Sequence, residues 1–107
     1  MVEETPETKS RSSDSQDDHV VFVGDKPFMN YVTGVVMQFT THSAKESIIK
    51  ARGKFISKAV DIAEVATKRF LQGEVTIKNI SVNSEEFKNK EGKDVRVSTI
   101  ELTLAKN

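Results

Sequence analysis

The polar and apolar positions of this 107-residue chain divide it near residue 19. Residues 1–18 are rich in Ser, Thr, Asp and Glu and offer only Met1 and Val2 as sizeable apolar groups, too little surface to offset the entropy of ordering. They read as a disordered acidic tail, and residues 19–107 as one foldable domain. Val20-Val21-Phe22-Val23 is a continuous apolar run rich in β-branched residues, the pattern of a strand covered on both faces. Gly24 ends it. Asp25 is placed to cap a helix with Pro27 in its first turn, and apolar residues recur with helical spacing at Met29, Val32, Val35, Val36 and Phe39. Gly34 inside that helix costs about 1 kcal/mol relative to alanine, which predicts another backbone passing close by.

After the polar break at Thr40-Thr41-His42-Ser43, Glu46 to Ala51 reads as a second short strand ended by Arg52-Gly53. From Lys54 to Phe70 the spacing predicts a second helix with Ile56, Ala59, Val60, Ala63, Ala66 and Phe70 on one stripe and Phe55, Ile62 and Val65 beside it. That arc is wider than a helix lying on one side of a sheet needs. It fits either burial against a second subunit or a deeply set helix. Val75, Ile77, Ile80 and Val82, and then Val95, Val97, Ile100, Leu102 and Leu104, alternate as two long strands. The phase slips once in each, between Ile77 and Ile80 and between Val97 and Ile100, which predicts bulges or strong twist. The polar stretch Lys88 to Asp94, with Gly92, supplies a hairpin turn. The order β-α-β-α-β-β predicts an α/β fold: a mixed four-stranded sheet with two helices and a projecting terminal hairpin.

Charge changes the picture. Sixteen basic and sixteen acidic residues make the chain formally neutral, but the tail carries six acids against Lys9 and Arg11, a net −4. Fourteen basic and ten acidic residues remain for the rest, a net +4. The densest basic feature is Lys50-Ala51-Arg52-Gly53-Lys54, followed by Lys58. Residues 50, 52 and 54 point the same way where the backbone stays extended, and Lys58 lies one helical turn further on. Four cations near a helix N-terminus suit a phosphate, and Gly53 lets backbone approach closely. The same pattern fits a solvated face with pairs such as Lys58 to Asp61. Lys26, beside Asp25, is a second phosphate candidate, while Asn30 and Tyr31 offer a donor and a ring for stacking or for packing.

Other chemistry finds no support. Asp61 and Glu64 stand among Lys58 and Lys68 at ion-pair spacing. No serine occupies a nucleophile elbow, no glycine loop of the nucleotide-binding kinds occurs, and His42 has only threonine and serine beside it. Without cysteine, and with only His19 and His42, no metal site and no cofactor is expected. Asn79-Ile80-Ser81 matches a glycosylation sequon by chance, inside a strand. The acidic start and the lack of a run of ~20 apolar residues predict a cytoplasmic protein with no membrane partner.

Three strings carry a resemblance: Gly24-Asp25-Lys26-Pro27-Phe28-Met29-Asn30-Tyr31-Val32, Ile49 to Asp61 through Lys50-Ala51-Arg52-Gly53-Lys54, and Val97-Ser98-Thr99-Ile100-Glu101. With these, residues 19–107 closely resemble the Alba family of archaeal chromatin proteins. The resemblance implies a dimer whose subunits share the fold of the C-terminal domain of bacterial translation initiation factor three. It implies central contacts to nucleic-acid backbone by Lys26, Lys50, Arg52, Lys54 and Lys58; Asn30, Tyr31 and Gly53, read from their own chemistry, complete the candidate set. The hairpin with Lys88, Lys90, Lys93 and Arg96 becomes an arm along the minor groove, and Phe70 a contact between neighbouring dimers on DNA. Relatives often carry two lysines before the proline, the first acetylated with weaker DNA binding. Asp25 stands there instead, so Lys26 is the remaining acetylation candidate. Glu85, Glu86, Glu91 and Asp94 balance the arm's basic groups.

The expectation is a chromosome-associated homodimer, or a heterodimer with a paralogue, that coats and compacts double-stranded DNA without sequence preference, binds RNA, and catalyses no reaction. A mainly RNA-directed role, as an RNA chaperone or ribonucleoprotein subunit, is the alternative, and a protein-interaction module is a further one. Lysines supply position rather than base readout. A flexible tail of this length spans about 5–6 Å × √19, or roughly 24 Å, enough to reach a basic face and compete with nucleic acid. Removal of residues 1–18 is therefore expected to strengthen duplex binding at low salt, with the gap closing as screening shortens to about 8 Å at physiological salt. Equal affinities at the lowest salt of such a titration would exclude competition.

Overall fold

Where apolar residues alternate or recur, backbone hydrogen bonds are shielded and elements form. The computed structural model describes residues 19–107, and the tail expected over 1–18 lies outside them. β1 (Val20–Phe22) leads to α1 (Phe28–Thr40) and β2 (Glu46–Arg52). A 3₁₀ turn over Gly53–Phe55 enters α2 (Ile56–Val65), and the long strands β3 (Val75–Lys88) and β4 (Asp94–Lys106) complete the chain. The sheet order is β1-β2-β4-β3, with β1 parallel to β2 and the other pairs antiparallel. This is the mixed four-stranded sheet that the hydrophobic pattern predicts.

Both helices pack on one sheet face. Ile49, Leu102, Leu104 and Val75 from the strands meet Val32, Val35 and Ile62 from the helices, all essentially without solvent contact. Burial of each such side chain is worth about 1.5–3 kcal/mol. The other face has no second layer among the described residues. β1 is therefore not the strand covered on both faces that its apolar run predicts. It lies at the sheet edge, and Phe22 remains 71% exposed on the outer face.

Several local expectations change for identifiable reasons. Pro27, in an extended conformation, occupies the N-cap position of α1 without any side-chain cap bond. Asp25 lies two residues too early to reach the first helical amides. No backbone approaches Gly34, since an added Cβ would meet nothing within 4 Å. The helix expected over Lys54 to Phe70 is three pieces, because after Val65 the chain widens into a π-type turn, Ala66–Phe70, closed by Leu71 N–H donating to Ala66 O at 2.9 Å. Of the broad apolar arc, Ala59, Ile62, Ala63 and Ala66 are buried, whereas Val60 and Phe70 stay open to solvent.

The two phase slips have different origins. In β3 the register does shift, between Ile77 and Asn79. In β4 pairing runs unbroken from Val95 to Ile100, so there is no bulge. There, Ile100, Leu102 and Leu104 face the helices, while Val95 and Val97 lie on the opposite face, where the hairpin has outgrown the helices. At its tip Asn89 Oδ1 accepts the amides of Glu91 (2.9 Å) and Lys93 (3.0 Å), and Gly92 takes φ +83°.

One polar network fixes the loop between β1 and α1. The amides of Gly24 and Lys26 donate to Tyr31 Oη at 2.8 and 3.2 Å. Lys58 Nζ, from α2, donates to the carbonyls of the same two residues at 2.7 and 2.6 Å and stands 5.1 Å from the Tyr31 ring centroid. Four loop groups that helix and sheet leave without partners are thus satisfied by two side chains. Lys58→Met, which keeps the stem and removes the charge, is expected to lower stability by about 1.5–3 kcal/mol in denaturant unfolding. Tyr31→Phe is expected to speed hydrogen exchange at the Gly24 and Lys26 amides. Unchanged exchange in Tyr31→Phe would mean that the phenol does not hold the loop.

Candidate nucleic-acid interface

Strand register decides where the central cations point. Lys50 pairs across to Phe22 on one side and Glu101 on the other, and Arg52 pairs with Thr99. Alternation places Lys50 and Arg52 together on the outer face, opposite the buried Ile49 and Ala51. The straight row of residues 50, 52 and 54 expected from an extended backbone does not form. Gly53 takes φ +55°, a conformation that favours glycine, and a Cβ there would come within 3.3 Å of Val97 Cγ2. Lys54 consequently leaves the sheet face and stands in the turn, with Nζ 5.4 Å from the Phe55 ring centroid.

Lys58 does not extend that patch into solvent, nor does it pair with Asp61. Its ammonium is committed to the Gly24–Lys26 loop, and so holds the exposed Lys26 against the start of α2. Tyr31 is buried, with its hydroxyl taken by two amides, so its ring packs rather than offering a stacking face. Asn30 is exposed in the first turn of α1. The fold thus gathers Lys26, Lys50, Arg52, Lys54 and Lys58 at one end of the domain, with Lys58 and Tyr31 as supports beneath the others.

Acidic partners temper this surface. Arg52 Nη2 lies 3.1 Å from Glu85 Oε1 and Lys50 Nζ lies 3.6 Å from Glu101 Oε2. In the arm, Lys88 pairs with Asp94 at 2.9 Å and Arg96 with Glu86 at 3.0 Å. All these groups are solvent-exposed, and such pairs are worth about 0–1 kcal/mol, little enough for a phosphate to replace the carboxylate. Lys90 and Lys93, near the hairpin tip, make no ion pair among the described residues. The tip stands apart from the central patch. Lys88 is five residues beyond Asn83, the partner of Thr99, hence about 17 Å further out. Glu64 pairs with Lys68 at 3.0 Å, as its spacing predicts.

Sequence reasoning missed the pairing of Glu101 and Glu85 with the central cations, and it missed Phe22, which lies 5.7 Å from Lys50 Nζ. Both depend on cross-strand register between segments far apart in the chain. Among the described residues no three His, Asp or Glu side chains cluster as a metal site would require, and no helix is long and apolar enough to cross a membrane.

Comparison with known proteins identifies the family and the fold. The Alba family model matches residues 19–84. The DNA/RNA-binding protein Alba of Methanococcus maripaludis is 49% identical over 89 residues, 83% of this chain and 99% of the relative. Its counterpart from Nanoarchaeum equitans is 52% identical over 87 residues, 80% and 96% of the two chains. Among solved structures, Alba from Thermoplasma volcanium matches with a TM-score of 0.73 at 45% identity, over 80% of this chain and 98% of that one. ALBA1 from Trypanosoma brucei shares the fold, with a TM-score of 0.67 at 22% identity over 86% of this chain and 72% of that one. Matched by the family model over residues 19–84, and by relatives that align with it over nearly their whole length, the chain belongs to the Alba family.

Proposed function

We propose that the protein is a non-catalytic, sequence-independent DNA- and RNA-binding protein that coats and compacts duplex DNA as a dimer, in the cytoplasm and on the chromosome. The observation that carries this reading is the gathering of Lys26, Lys50, Arg52 and Lys54 at one end of the domain, where Lys50 and Arg52 are engaged only by weak, exposed ion pairs. The relatives' names, which specify DNA and RNA together, support it. Three of the four groups are lysines, point charges on flexible stems that read phosphate rather than base edges. Lys90 and Lys93 of the arm extend the contact along the groove, with Lys88 and Arg96 contributing after exchange of their carboxylate partners. Lys26, exposed and beside the loop clamp, is the residue whose acetylation would remove a central charge.

Exposed apolar groups support a dimer. Ile80 and Val82 pair with Leu102 and Ile100, and so lie on the helix side of the sheet, yet remain 58% and 72% exposed because no helix reaches β3 there. Val60 of α2 is exposed on the same side of the sheet. A second copy that covers these residues removes an apolar patch that water otherwise meets. Phe70, exposed at the end of the π-type turn, serves contact between dimers.

Two measurements test the reading. Changing Lys50, Arg52 and Lys54 to alanine is expected to weaken unrelated duplexes by a similar factor, and each lost phosphate contact flattens the log–log salt slope by about 0.9. Glu101→Gln and Glu85→Gln act in the opposite direction, tightening binding by up to about fivefold each at low salt. Loss confined to one sequence would contradict phosphate neutralisation. Sedimentation equilibrium at micromolar concentration is expected to give a dimer, weakened in Ile80→Ser/Val82→Ser. A monomeric wild-type protein would refute the dimer.

A further inference from the structure

We propose that the hollow on the outer face of the sheet holds an unpaired nucleobase stacked on Phe22, so that the protein grips single-stranded nucleic acid through its bases as well as its phosphates. The inference deepens the proposed function, resting on the same reading of Lys50 and Arg52 as phosphate contacts. It begins from a residue that folding leaves unexplained. Phe22 sits on an edge strand, 71% exposed, on the face without helices. The Lys50 ammonium stands 5.7 Å from its ring centroid.

The surroundings fit a base better than a phosphate alone. A hollow of about 480 Å³ opens beside Phe22, with Phe55 and Val97 as further apolar lining. Its polar rim is Lys50 and Arg52 on one hand and Glu85 and Glu101 on the other. Two cations stand beside two carboxylates, so the rim offers hydrogen-bond donors and acceptors side by side, more than a phosphate alone would use. A nucleobase, by contrast, presents both N–H donors for the carboxylates and carbonyl or ring-nitrogen acceptors for Lys50 and Arg52. Its flat face matches the exposed phenyl ring, while the phosphate next to it meets the same cations. In a duplex those faces are stacked on neighbouring bases and the Watson–Crick edges are paired, so only an unpaired nucleotide can enter. Aromatic side chains on an open sheet face beside basic groups are the arrangement that binds single strands with little sequence preference.

The position of Phe22 at the edge of the sheet leaves the ring open to a base arriving from the side. A second copy of this chain is the competing occupant, and the experiment separates the two. Full-length protein is titrated by fluorescence anisotropy with a 15-nucleotide oligo(U), a 15-nucleotide oligo(dT), an abasic 15-nucleotide strand and a duplex of equal length. Wild-type protein is expected to prefer either base-bearing strand over the abasic one. Phe22→Ala is expected to weaken the base-bearing strands about tenfold, within the range measured for loss of one stacked base, and to leave the abasic strand and the duplex within twofold. Phe22→Trp is expected to restore the affinity. An effect on both oligomers assigns the site to any single strand, and an effect on oligo(U) alone assigns it to RNA. Equal binding of abasic and base-bearing strands by the wild type, equal loss for duplex and single strand in Phe22→Ala, or dissociation of the dimer in that variant would each overturn the inference while duplex binding by the wild type stands. Absence of all nucleic-acid binding by the wild type would overturn the proposed function itself, and this inference with it.

Discussion

Lys58 places an ammonium group where two backbone carbonyls converge, and the geometry of the basic surface depends on that choice. The β1–α1 loop has neither helix nor sheet to satisfy its polar groups, so Gly24 and Lys26 would have to leave them to water and sample many conformations. Lys58 from α2 takes the two carbonyls and Tyr31 from α1 takes the two amides. One strand end and two helices are joined at this point. A residue that looks like another phosphate contact thereby works as a brace, and the loop carrying Lys26 is set against the first turn of α2 without any need to order it when a ligand arrives. Pre-ordering of this kind lowers the entropic cost of association.

The outer surface follows a different rule. Its cations are held, but loosely. Arg52 of β2 reaches Glu85 of β3 across the intervening β4, two strand spacings or about 9.5 Å, so that the pair ties the base of the arm to the central patch. Lys50 leans toward Glu101 in the adjacent strand. Each pair is exposed and screened by salt, so a polyanion that offers several phosphates in a row can exchange with the carboxylates one at a time. The domain's net charge of +4 is modest for a nucleic-acid-binding protein, and these internal competitors reduce its effective field further. Binding that is reversible and sensitive to salt is the physical consequence.

Much of this was legible in the chain itself. Helical and alternating periods, a glycine or polar break between each pair of elements, and the Gly92 turn determined the order β-α-β-α-β-β, because each element must bury one face and water marks the other. The cluster at Lys50-Ala51-Arg52-Gly53-Lys54 was equally visible, since charge density needs no third dimension. So was the Glu64–Lys68 pair, which a helix brings together by spacing alone. The three strings that resemble the Alba family are likewise properties of the sequence.

What tertiary structure alone decided concerns partners distant in the chain. The apolar run at Val20 to Val23 is compatible with a central strand or an edge strand, and only the sheet order β1-β2-β4-β3 leaves Phe22 uncovered. The second phase slip in the hairpin is compatible with a bulge or a change of covered face, and only the position where the helices end selects the latter. Lys58 stands beside Asp61 in sequence, yet it bonds residues 34 and 32 positions away because the packing of α2 beside the β1–α1 loop brings their carbonyls within reach. Local periodicity specifies which way a side chain faces relative to its own element. Which group waits on the other side is set by long-range packing, and no local pattern contains it.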